Sequence, residues 1–84
     1  MQAWEYEDKV WKIEGIVIIL RCDPKKEVGD YPYIRAVAGG TTLAEWFKGR
    51  LASLQVPYVV HDGDVVQPHG KTKISKIRES YGKG

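Results

Sequence analysis

One stretch constrains the fold more than any other: Ile16-Val17-Ile18-Ile19-Leu20, the longest unbroken apolar run in the 84-residue chain. β-Branched side chains are stiff in a helix and pack well on a pleated surface. A short apolar run bounded by turn residues suits a strand buried on both faces. Upstream, Trp11 and Ile13 alternate with Lys12 and Glu14. That period of two predicts one strand over 11–21, with Gly15 as a bulge between its halves. Asp23-Pro24 ends the strand and opens a polar loop. The run is far too short to cross a bilayer, so no membrane partner is expected.

Downstream, the strongest helix signal is TTLAEWFKGRLASL. Thr42 and Glu45 form a capping box, in which each side chain satisfies a backbone N–H at the helix start. Leu43, Trp46, Phe47, Leu51 and Leu54 share one face, and Gly49 marks a close backbone approach. Before it, GDYPYIRAVAGG reads as a short helix capped by Asp30 and ended by Gly39-Gly40, against an extended reading of Tyr31–Val37. After it, Tyr58–His61 and Asp64–Gln67 flank Asp62-Gly63, a favoured two-residue hairpin turn. Finally, Ile74, Ile77 and Tyr81 form an apolar stripe on a closing helix capped by Thr72 and ended by Gly82. The pattern contains no internal repeat. The expected architecture is α+β in the order β-(α)-α-β-β-α: a small mixed three-stranded sheet with two or three helices packed on it, all within a single domain, 1–84.

A chain of this size buries a small core and has a stability on the order of 5 kcal/mol. Its single cysteine, Cys22, builds no internal disulfide, and the acidic N-terminus lacks an apolar signal core. A cytoplasmic location is therefore expected. The net charge of +2 is unevenly placed: residues 69–84 hold five bases against one acid, Glu79, while Glu5, Glu7 and Asp8 cluster near the start. Such asymmetry points to electrostatic partners.

Gly70-Lys71-Thr72 matches the end of a phosphate-binding loop, but that loop needs a glycine where Val65 stands, so nucleotide hydrolysis is excluded. What survives is a basic turn ahead of a helix, whose N–H groups and dipole attract anions. Gly70, Lys71, Thr72, Lys73, Lys76 and Arg78 are the expected phosphate contacts, with solvated lysines on a capped helix as the plain alternative. His61, Asp62, Asp64 and His69 lack structural-zinc spacing, so no metal and no cofactor is expected. Cys22 as a nucleophile, or His69 as acid or base with Lys71 and Arg78 on phosphate, defines a minor hydrolase reading. Trp11 and Trp46 occupy core positions, while Trp4 and Tyr6, beside acids, belong either to the sheet or to an exposed interaction patch. The sequence thus points to a small non-enzymatic binding module. It meets DNA or RNA phosphates through its basic C-terminal helix, or else pairs its acidic and basic ends with a protein partner or a second copy.

Overall fold

A computed structural model describes residues 1–61 and 68–81. Its elements are α1 (Ala3–Glu14), β1 (Val17–Leu20), α2 (Leu43–Arg50), β2 (Tyr58–His61) and α3 (Ile74–Tyr81). β1 and β2 pair antiparallel, Val17 opposite His61 and Leu20 opposite Tyr58. The α+β class stands. The sheet, however, has two strands among the described residues, not three, and it is antiparallel, not mixed. The expected hairpin turn and its second strand, Asp64–Gln67, lie outside the described residues.

The largest departure is α1. The alternation of Trp11 to Glu14 is not a strand edge but the last turn of a helix. Ala3, Tyr6, Val10 and Glu14 are buried at spacings of 3, 4 and 4, one helical stripe that ends on a carboxylate. Gly15 is the C-cap, with φ 69° and its N–H on Trp11 O at 2.9 Å, a left-handed position suited to glycine and not a bulge. The apolar run then forms only four strand residues. Ile18 and Leu20 point inward, and Ile19 is 41% exposed. Trp11, expected in the core, is 46% exposed on α1.

Tyr31–Val37 is neither helix nor strand. It is a connection anchored by the fully buried Tyr31, and Asp30 accepts from Tyr31 N–H and pairs with Lys9 instead of capping a helix. α2 forms as its capping box dictates: Thr42 Oγ1 accepts from Glu45 N–H, and Glu45 Oε1 accepts from Thr42 N–H. Leu43, Trp46 and Leu51 are buried, with Phe47 and Leu54 packed against the core. A Cβ on Gly49 would meet nothing within 4 Å, so no close approach explains that glycine.

The first amides of all three helices are met by carbonyls from another segment, which satisfies donors that a helix leaves orphaned. Ala3 and Trp4 N–H donate to Lys26 and Pro24 O. Leu43 and Ala44 N–H donate to Thr72 and Gly70 O at 2.8 and 2.9 Å, and Ile74 and Ser75 N–H donate to Thr41 and Gly39 O at 2.8 and 3.0 Å. The last four bonds are reciprocal. Gly39-Gly40-Thr41-Thr42-Leu43-Ala44 and Gly70-Lys71-Thr72-Lys73-Ile74-Ser75 cap each other as equivalent units, joined by a bridge between Thr42 and Lys73. An internal structural repeat therefore exists where none was expected. Only the glycine, the threonine, one apolar residue and one small residue recur, which is too little to stand out in the sequence.

Candidate functional site

Among the described residues, two surface features and one buried one involve residues that the sequence marks out in part. The buried feature decides what the other two can do. Glu14 is 1% exposed at the end of α1. Its Oε2 accepts from Arg50 Nη1 at 2.6 Å and from the Tyr31 hydroxyl, and its Oε1 accepts from Val37 N–H at 2.9 Å and from Arg78 Nη2 at 3.3 Å. Trp46 Nε1 donates to Tyr31 Oη at 3.0 Å, and the Arg50 guanidinium lies 4.4 Å from the centre of the Tyr33 ring. Every element except the sheet reaches this carboxylate, and a buried charge is tolerated only when paired and hydrogen-bonded in this way.

Arg78 is the sixth of the expected phosphate contacts. Its Nε donates to Glu14 O at 2.6 Å and its Nη1 to Val37 O at 3.1 Å. The guanidinium therefore links α3 to α1 and to the 31–37 connection, and it does not stand outward with the lysines. Gly70 and Thr72 hold the turn that caps α2. Several amides that an anion would use are occupied: Lys71 N–H by His69 Nδ1 at 3.1 Å, Thr72 N–H by His69 O, and Ile74 and Ser75 N–H by the 39–41 turn. Lys71, Lys73 and Lys76 are exposed, and none forms an ion pair among the described residues. The set of six thus divides into three outward cations, two turn residues and one internal strut.

His69 stabilises its own turn through that Nδ1. Cys22 is half-buried against the core. No group of three or more His, Cys, Asp and Glu among the described residues could hold a metal ion, and Asp62 and Asp64 lie outside those residues. No described helix is long and apolar enough to cross a membrane.

The second surface feature is a groove of about 520 Å³ between α1 and β1, lined by Trp4, Glu7, Asp8, Trp11, Val17 and Ile18. A smaller trough of about 290 Å³ adjoins it across Trp4 and Asp8. Trp4 is 52% exposed. Its indole is fixed by Nε1 donating to Gln2 Oε1 at 2.7 Å, and Trp11 stands edge-on to Tyr81 at 5.6 Å. Glu7 Oε2 accepts from Leu20 N–H at 2.8 Å and ties the helix to the strand. Asp8 pairs with Lys12 at 2.8 Å at the surface. Of the expected aromatic patch, Tyr6 is buried and Trp4 is not; Trp11 takes the place of Tyr6. Reading residues 3–14 as a helix would have found this face, because positions i, i+3, i+4 and i+7 place Trp4, Glu7, Asp8 and Trp11 together.

Compared with known protein families, with curated proteins and with solved structures, the chain matches none.

Proposed function

We propose that the protein is a non-enzymatic binding module whose interaction face is the groove between α1 and β1. The observation that carries this reading is the pair of large, half-exposed indoles, Trp4 and Trp11, standing on one helix face and lining the groove with Val17 of β1. Tryptophan is enriched at interfaces because it offers a large rigid area with one polar handle, and leaving two of them to water lowers solubility unless a partner covers them. A random peptide library selected on the protein, then counter-selected on a Trp4→Ser/Trp11→Ser variant of equal helix content, tests the reading. Enriched peptides that bind only the parent support it. Peptides that bind both proteins equally, or no enrichment, sink it. Light scattering on the same two proteins shows whether the partner is a second copy.

A second reading is favoured by the three outward lysines. Lys71 and Lys73 stand on the turn that caps α2 and Lys76 in the first turn of α3, and these cations would contact phosphates of DNA or RNA without reading sequence. Replacing all three by glutamine should abolish retention on single- or double-stranded DNA at low salt while leaving the fold intact. Unchanged retention would remove these residues from the surface involved.

A further inference from the structure

The groove combines aromatic surface with a one-sided charge. Its lining carries two carboxylates, Glu7 and Asp8, and no basic side chain. Glu7 takes part in no ion pair among the described residues, and only its Oε2 is used, by Leu20 N–H. Asp8 has Lys12 as a partner, but both side chains of that pair are exposed, at 48% and 71%. Such pairs contribute little and exchange readily. Along the helix the two indoles are separated by seven residues, a rise of about 10 Å, with both acids between them.

Each possible occupant meets this surface differently. An anion is repelled by both carboxylates. A wholly apolar segment would strip water from Glu7 without replacing it, which is unfavourable. A cation gains twice: the face of an indole attracts it through the ring quadrupole, and a carboxylate lies beside it. Among cations, a planar guanidinium suits the site better than an ammonium, because it stacks on an indole and forks onto a carboxylate at once. A small free cation would keep most of its water in a groove this open, whereas a side chain delivered by its own backbone also lays its methylenes on Val17 and the indole edges.

We infer that the groove recognises an arginine-bearing segment of a partner protein, with guanidinium groups against Trp4 and Trp11 and paired with Glu7. This rests on the α1–β1 groove being the interaction face. The probe is a short glycine-flanked peptide with two arginines three positions apart, which a polyproline II conformation places on one side of the chain about 9 Å apart. Its control is the same peptide with both arginines replaced by citrulline, which keeps the shape and removes the charge. Titration is followed by the indole N–H signals in ¹⁵N–¹H spectra. The arginine peptide should move the Trp4 and Trp11 signals and leave the buried Trp46 still. The citrulline peptide should bind at least about fivefold more weakly. Glu7→Gln, which keeps an oxygen for Leu20 N–H, should weaken the arginine peptide by about threefold or more. Equal binding of the two peptides, an unchanged Glu7→Gln titration, or no movement up to about 10 mM peptide overturns the inference. Neutral library peptides that still require Trp4 and Trp11 would overturn it too, yet leave the interaction face standing. Loss of all indole-dependent binding would remove both.

Discussion

Glu14 shows how one residue can dominate a small fold. Its carboxylate is fully buried, but its arginine partners are not: the side chains of Arg50 and Arg78 are 21% and 27% exposed. Removing one member of a buried pair costs about 3–5 kcal/mol when the other is trapped without water. Here both guanidinium groups can turn toward solvent, which places Glu14→Gln nearer about 2–3 kcal/mol, still half of what a domain this size holds in reserve. Urea denaturation should show that loss with an unchanged slope, and a cost under about 1 kcal/mol would mean that the ion pairs contribute little. The same cluster governs behaviour in alkali. Burial pushes the Tyr31 hydroxyl well above the ordinary phenol range, and its bond to the Glu14 carboxylate raises it further; Tyr6 is raised mainly by burial as well. A raised acid stays protonated in the fold and ionises near pH 10 when unfolded. Its stabilising contribution is therefore complete below pH 10 and declines as the pH climbs beyond it. Absorbance at 295 nm should show part of the five tyrosines ionising only as the helix signal collapses. A single wave near pH 10 with helices intact would contradict this burial.

At the scale of elements, the paired helix starts make a prediction that depends on distance alone. A Cβ on Gly39 would stand 3.0 Å from Ser75 Cβ, and one on Gly70 would stand 3.3 Å from Ala44 Cβ. Neither glycine has a positive φ, so alanine is penalised by crowding and not by backbone conformation. Gly39→Ala should cost about 1–3 kcal/mol, Gly70→Ala less, and Ser75→Gly should recover part of the Gly39→Ala loss. Thermal melts of the four proteins check that order, and equal effects at both glycines would break it. By contrast, Thr42→Ala should cost about 1 kcal/mol through the cap alone. These elements also show what the sequence could convey. α2 was legible because its signals are local: Thr42 and Glu45 cap the same turn, and the stripe through Leu43, Trp46 and Leu51 has no rival period. β2 and α3 were legible for similar reasons. α1 was not, because the residue that closes its buried stripe is a glutamate. A charge at that position reads as solvent-facing until Arg50 and Arg78, both distant in sequence, are known to meet it. The consequence reaches the site: a strand over 11–14 turns Trp11 inward and hides the face that it shares with Trp4, Glu7 and Asp8 on the helix. Arg78 failed for the mirrored reason: its spacing beside the lysines was visible, whereas its partner on α1 was not.

For the whole molecule, the decisive quantity is how many of its cations are free to meet a polyanion. Each phosphate neutralised releases counterions and adds close to one unit to the slope of log affinity against log salt. Counting basic residues near the C-terminus overstates what the fold can offer, because Arg78 already has Glu14 and two carbonyls as partners. Among the described residues, Lys71, Lys73 and Lys76 set the scale instead. If the basic turn binds DNA, the slope should be about −2 to −3, and affinity should fade well below physiological salt. Arg78→Met should leave that slope unchanged while lowering the melting temperature, since it weakens the strut and not the surface. Glutamine at Lys73 alone should reduce the slope by about one unit with no change in melting. A slope that falls in Arg78→Met as much as in Lys73→Gln, in protein still folded at the temperature of measurement, would show that the guanidinium leaves Glu14 for phosphate, and that the buried cluster opens when the chain binds.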